Sequence, residues 1–201
     1  MSKNLLIIFT RNPELGKVKT RLAKSIGEEN ALTIYKTLLD RTEKTTRNLK
    51  CDKAVYYSVK IREHDIWDTS IYQKHQQHGD DLGVRMHNAF FEAFSNNYDK
   101  VAIIGSDLFN LNPNHINEAF KALGENDIVI GPAHDGGYYL LAMKSLYSQV
   151  FKNKKWGTST VFKDTIKDLK NKHLYLLETL NDIDVYDDLK NIQAFKKYLN
   201  K

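Results

Sequence analysis

The sequence predicts an α/β protein built on an open sheet, and three observations carry that prediction. The segments Asn4 to Thr10, Val101 to Ile104 and Asp127 to Gly131 are apolar through their middles, as strands are when helices cover both faces of a sheet. Between them lie segments whose apolar residues recur three and four apart, the signature of helices packed on one side. One of them holds Leu82, Met86, Ala89, Phe90, Ala93 and Phe94. Finally, the stretch V-A-I-I-G-S-D runs from an apolar strand through Gly105 to a carboxylate, Asp107. That places an acid at the C-terminal edge, where open α/β sheets bind ligands.

A chain of 201 residues buries roughly 70% of the surface exposed by its unfolded form, so one domain is expected. Apolar content of 41% and charged content of 27% are ordinary for a globular chain. The five-residue run Leu5 to Phe9 is too short for a signal sequence or a membrane span, and a cytoplasmic location is expected. The one cysteine, Cys51, excludes an internal disulfide and a cysteine-rich zinc site, and reads as a packing residue.

The net charge of +5 is unevenly placed. Residues 1 to 60 hold 13 lysines and arginines against six acids, an excess of +7, whereas residues 61 to 201 hold 17 against 19. Arg11, Lys17, Lys19, Arg21 and Lys24 crowd one stretch without interleaved aromatics, a pattern suited to a compact phosphate group and not to a stacked single strand of nucleic acid.

In chain order, the first strand runs Asn4 to Thr10. The Arg11 to Gly16 segment breaks with Asn-Pro and Gly, and a helix is predicted over Lys17 to Ile26 on the spacing of Val18, Leu22 and Ile26. If that helix begins after Gly16, its free amides join Lys17, Lys19 and Arg21 in an anion site; the alternative is a solvated basic face. No Walker A loop is present, because Val18 and Arg11 stand where a hydroxyl and a glycine are required, and a dinucleotide fingerprint would need three glycines where only Gly16 occurs. Glu28 to Lys50 reads as a scaffold helix and Ala54 to Val59 as a strand. A loop with a locally packed Trp67 follows, then a strand over Tyr72 to Gln77, with His75 and His78 as surface residues. The helix after Asp80 or Asp81 is capped by one of them, and Arg85 either reaches a ligand or pairs with Asp81 four residues back.

Beyond Asp107, Asn112-Pro113 opens a helix to about Leu123. The strand Asp127 to Gly131 leads into Pro132-Ala133-His134-Asp135-Gly136-Gly137 and the strand Tyr138 to Met143. The two glycines allow a ligand close to the backbone, and a plain hairpin explains them equally. Trp156 to Thr160 precedes a helix through Leu169 capped by a hydroxyl, and His173 to Leu177 is a last strand. Asn181 to Leu189 carries four acids before a closing helix to about Leu199. Asp187 and Asp188 suit that helix's first turn. Asp182 and Asp184, two apart in extended chain, share a face and can point at one ion.

These residues carry a resemblance. Asn12-Pro13-x-x-Gly16-x-Val18-Lys19-Thr20-Arg21-Leu22, Asp81-Leu82-Gly83-x-Arg85-Met86, Gly105-Ser106-Asp107, Gly131-Pro132-x-x-Asp135-Gly136-Gly137-Tyr138, Trp156-x-Thr158-Ser159 and Asp182-x-Asp184-x-x-Asp187-Asp188-Leu189 occur in the order found in one family. The chain resembles the small bacterial nucleotide-diphospho-sugar transferase-like proteins, which are GT-A glycosyltransferase-like, associated with radical-SAM and arsenosugar gene neighbourhoods, and related to phospholactate guanylyltransferase. The resemblance implies a GT-A fold, a Rossmann-like α/β/α sandwich with a mixed, mostly parallel sheet. It implies nucleotide phosphates on Lys17, Lys19 and Arg21 with Thr10 and Arg11, and a divalent metal, Mg2+ or Mn2+, on Asp107 and Asp184 with Asp182. Asp107 and Asp135 are the implied catalytic acids, while Arg85, Gly136, Gly137, Tyr138 and Ser159 would face the donated group or a small acceptor.

The family usually has a proline two residues after the metal acid, where this sequence has Phe109, so the pose of Asp107 needs another support. His134, beside Asp135, is a further departure and a pH-sensitive neighbour. Glycosyl transfer from a nucleotide sugar is the expected reaction. Nucleotidyl transfer from an NTP to a phosphorylated or carboxylate acceptor is the alternative, and a non-catalytic nucleotide-binding module is the third. Neither nucleic acid nor a membrane is an expected partner.

Overall fold

The computed structural model describes residues 2–199, in which twelve segments form the regular framework. In chain order these are β1 (Asn4–Thr10), α1 (Thr20–Ile26), α2 (Glu28–Thr46), β2 (Asp52–Tyr57), β3 (Gln73–Gln76) and α3 (Leu82–Ser95). Then come β4 (Lys100–Gly105), α4 (Pro113–Ala122), β5 (Ile128–Pro132), β6 (Tyr138–Met143), α5 (Val161–Asp168) and β7 (Leu174–Leu176). The strands make one mixed sheet in the order β3-β2-β1-β4-β6-β5-β7. Only β6 runs against its neighbours β4 and β5; the other pairings are parallel. The α/β class with a mostly parallel sheet is therefore as the sequence predicts.

Alternation along β1 divides the core. Leu6 and Ile8 face a layer holding Tyr35 and Leu39 of α2 and Ile116 and Phe120 of α4. Leu5 and Ile7 face Met86, Ala89 and Phe90 of α3, so β1 is apolar on both sides because each side is covered. Trp67 is fully buried in the first of these layers, edge-on to Tyr72 at 5.0 Å between ring centroids. Burial pushes the Cys51 thiol up to about 11, which suits packing and not nucleophilic chemistry. No helix among the described residues is long and apolar enough to cross a membrane.

Four local expectations are corrected. The first helix begins at Thr20, not after Gly16: Gly16 and Lys19 both have positive φ, at 71° and 46°, and each interrupts the right-handed path. For Lys19 this conformation costs about 1–2 kcal/mol, accepted where its side chain is held by two carboxylates. The closing segment is not an α-helix but two 3-10 turns, Tyr186–Leu189 and Gln193–Tyr198. Its buried Leu189, Ile192 and Phe195 recur every three residues, the 3-10 period, and they pack under α1 and α2. No hydroxyl side chain caps α5; its entry is fixed instead by the backbone, where Phe162 N–H donates to Gly136 O at 2.9 Å. Arg85 does not pair with Asp81: Asp81 caps α3 through Val84 N–H at 2.8 Å, and Arg85 Nε donates to Gly79 O at 2.8 Å.

Candidate active site

Strands β1 and β4 lie side by side and parallel, and the chain leaves them toward opposite halves of the sheet. Such a switch point opens a crevice beyond the strand C-termini. Its floor is a buried hydroxyl node in which Tyr35 Oη lies 3.2 Å from both Thr10 Oγ1 and Ser106 Oγ, which are themselves 3.2 Å apart. Arg11 N–H also donates to Tyr35 Oη at 2.9 Å. The node ties α2 to the ends of β1 and β4, and burial raises the Tyr35 phenol so that it stays neutral. Tyr35→Phe should lower stability by about 2 kcal/mol, because buried partners lose a hydrogen bond each, as read by urea denaturation. An unchanged midpoint would show that the node does not hold the crevice floor.

A second brace is the buried Asn12. Its amide donates to Lys60 O at 2.8 Å and its carbonyl accepts from Val59 N–H at 3.0 Å, joining the loops after β1 and β2. The loop between β1 and α1 then delivers Lys19 over the sheet end. Its ammonium lies 2.9 Å from Asp107 Oδ2 and 3.1 Å from Asp184 Oδ1, with the side chain 3% exposed. Burial alone would lower this amine, but the two carboxylates outweigh it and hold it charged, above its ordinary value. Burial likewise works to raise Asp107, and the Lys19 ammonium prevails, holding this carboxyl below the usual range with Arg11 adding to the effect. Arg21 reaches Asp184 Oδ2 from the rim at 3.3 Å.

Asp107 folds back over Gly105, where a Cβ would lie 2.9 Å from its Oδ1 and would push that carboxylate aside. The turn has Phe109 where the resemblance led to a proline, and the Phe109 ring sits edge-on to Phe195 and under the Arg41 guanidinium, which donates to Phe109 O.

The other acids arrive through the C-terminal segment. Leu180 pairs beside Ala133 at the end of β5, and Ile183 N–H then meets Asp107 O at 3.4 Å, which puts Asp182 and Asp184 beside the end of β4. Asp188 shapes this loop by accepting from Asp184 N–H at 2.8 Å and Val185 N–H at 2.7 Å. Oxygens of Asp107, Asp182 and Asp184 lie within 4.8 Å of one another. Burial, then Asp107, Asp135 and Asp184, push the Asp182 carboxyl up to about 6, so the cluster carries more negative charge than Lys19 offsets. An all-oxygen set with surplus negative charge fits a hard divalent ion such as Mg2+ or Mn2+.

Two cavities share Asp107 and Asp182 on their walls. The larger, about 690 Å³, is bordered by five cations, Arg11, Lys17, Lys19, Arg21 and Arg85, and by Thr10. The smaller, about 230 Å³, is bordered by Asp135, Gly137, Tyr138 and a set of apolar side chains. The hairpin reading of Asp135-Gly136-Gly137 is correct, since β5 and β6 pair antiparallel across it, and the turn also borders a cavity. Gly136 and Ser159 do not line it. They interlock behind it: a Cβ on Gly136 (φ 87°) would fall 2.2 Å from Ser159 O. His134 is exposed.

Sequence reasoning grouped the cations and acids correctly but missed Tyr35 and Asp188, reading one as scaffold and the other as a helix-start charge. A tyrosine within an apolar helix stripe was the available signal, because its hydroxyl must find a partner when buried.

Comparison with known proteins agrees with this architecture. A family model described as "Uncharacterized protein conserved in bacteria (DUF2064)" matches residues 41–158. The fold is similar to that of a protein from Desulfovibrio desulfuricans G20, provisionally named a nucleotide-diphospho-sugar transferase, at TM-score 0.84 and 28% identity over 99% of this chain and 93% of that one. It is also similar to 4-diphosphocytidyl-2C-methyl-D-erythritol synthase from Anaerococcus prevotii DSM 20548, at TM-score 0.61 and 11% identity over 93% and 92% of the two chains. A cytidylyltransferase from Leptospira borgpetersenii matches at TM-score 0.56 and 15% identity, over 94% and 84%. A search of curated proteins finds no match. The expected fold, that of the nucleotide-diphospho-sugar transferases, is borne out.

Proposed function

The chain belongs to the bacterial family DUF2064, and from its fold and crevice we propose that it is a transferase using a nucleotide-activated donor, in the first place a glycosyltransferase acting on a nucleotide-diphospho-sugar in the cytoplasm. The whole chain works as one domain. One observation carries the reading: Lys19 is clasped between Asp107 and Asp184 at the head of a crevice whose remaining cations, Arg11, Lys17, Arg21 and Arg85, border its open side. Facing rows of cations and acids suit a diphosphate bridged to the acids by a divalent ion.

Breaking the bond between sugar and diphosphate leaves charge on the diphosphate, which Lys17, Lys19 and Arg21 would stabilise. A divalent ion held by Asp107, Asp182 and Asp184 would supply Lewis-acid neutralisation of the same charge. Asp135, exposed at the turn and bordering the same cavity as Asp107 and Asp182, would receive the acceptor's proton.

Nucleotidyl transfer is the second reading, favoured by the five cations, a number that suits a triphosphate. Calorimetry with nucleoside triphosphates and nucleotide-diphospho-sugars, with and without Mg2+ or Mn2+, decides between them. The expected result is metal-dependent binding that prefers a nucleotide-diphospho-sugar. Preference for a triphosphate would transfer the assignment to nucleotidyl transfer, and binding indifferent to metal would reduce the protein to a nucleotide-binding module.

A further inference from the structure

The two cavities that share Asp107 and Asp182 differ in charge. All five cations of the crevice border the larger one. The smaller is bordered by Phe9, Leu82, Met86, Leu108, Trp156 and Val161 among its apolar side chains and by Asp107, Asp135 and Asp182, with no lysine, arginine or histidine among the described residues. Lys19 together with a divalent ion would balance the three clustered acids. Asp135 remains, its carboxylate accepting from Gly137 N–H at 2.8 Å and facing no cation. No protein cation therefore stands on the wall of the small cavity, and a phosphate or carboxylate entering it would lose its hydration without gaining a lysine, arginine or histidine as partner.

From this segregation we infer that the acceptor is an uncharged or cationic small molecule with an apolar body, presenting a hydroxyl to Asp135. The inference rests on the proposed glycosyl transfer and specifies its acceptor. In the transfer the acceptor oxygen bonds to the anomeric carbon as the bond from that carbon to the diphosphate oxygen breaks. The bonding pair leaves with the diphosphate, and the acceptor's proton passes to the Asp135 carboxylate. Asp135 is the polar end of a pocket whose other walls select by shape and by the absence of positive charge. An acceptor carrying phosphate or carboxylate, as nucleotidyl transfer was expected to use, has no side-chain counter-charge there.

Four probes of one size test this: benzyl alcohol, benzylamine, benzoate and benzyl phosphate, titrated into the full chain by ligand-observed NMR with and without Mg2+. Benzyl alcohol and benzylamine should bind at least tenfold more tightly than the two anions. Val161→Trp, which fills the small cavity, should abolish that binding while leaving nucleotide affinity in the larger cavity unchanged, which also shows that the variant is folded. Thr158→Lys, an exposed position on the cavity wall, should reverse the order by admitting the anions. Equal or tighter binding of benzoate and benzyl phosphate to the natural chain would overturn the inference, as would binding of none of the four. Absence of nucleotide binding with the probe order intact would instead remove the glycosyl-transfer reading and leave the charge selectivity of the cavity standing.

Discussion

Asp107→Asn is expected to lower turnover by about 10²–10³-fold, the loss typical when one preorganised electrostatic group is removed from a reacting centre. Nucleotide binding should also become indifferent to Mg2+ or Mn2+. This acid is the junction of the whole arrangement: it neutralises Lys19, its backbone oxygen receives Ile183 N–H, and it borders both cavities. The amide keeps the volume and the approach to Gly105 while removing the charge, so the fold should survive with Lys19 still paired to Asp184. Steady-state kinetics and calorimetry on the same preparation separate the two effects. Turnover within a few-fold of the natural chain would remove Asp107 from the chemistry.

Lys19→Met is the second large effect, and here the expected loss includes stability. The methionine retains the buried stem and deletes the ammonium, leaving Asp107 and Asp184 facing each other with Arg21 at the rim as the remaining ion-pair partner of Asp184. Removing one partner of a fully buried ion pair costs about 3–5 kcal/mol. These carboxylates are 37% and 38% exposed, so solvent screens part of the repulsion and about 2 kcal/mol is expected.

The pH dependence follows from the shifts. Lys19 is raised, so its contribution is complete below the unfolded lysine value of about 10.4 and fades as pH rises through the higher folded value. Asp107 is lowered, so its contribution is complete above the unfolded aspartate value of about 3.9 and fades as pH falls through the lower folded value. The gap between natural and variant chains should thus be widest between about pH 5 and pH 9. A divalent ion should restore more stability to the variant than to the natural chain, since it replaces the missing charge. Denaturation midpoints across pH, with and without Mg2+, measure both. A gap that does not close at either extreme would mean that the methionine acts through packing.

Much of the fold was legible because the relevant forces are local or periodic. β1, β4 and β6 could be located from runs of apolar residues, α3 from its three-and-four spacing after Asp80 or Asp81, and α4 from Asn112-Pro113 at its start. The closing segment was misread for the same reason. Asp187 and Asp188 were read as the charged first turn of a helix, whereas Asp188 accepts amides within the loop and tightens the chain into 3-10 turns.

What the sequence by itself determined is the alternation of buried strands and amphipathic helices, the basic character of the first loop and the acidic ends of the later segments, because each depends on neighbours a few residues away. Only the tertiary structure decided that Lys19, Asp107 and Asp184, separated by 88 and 165 positions along the chain, stand within hydrogen-bond reach. It also decided that the cations line one cavity and are absent from the next. Charge attraction acts through space, and the distances it acts over are set by the order of strands in the sheet and by where each loop leaves it.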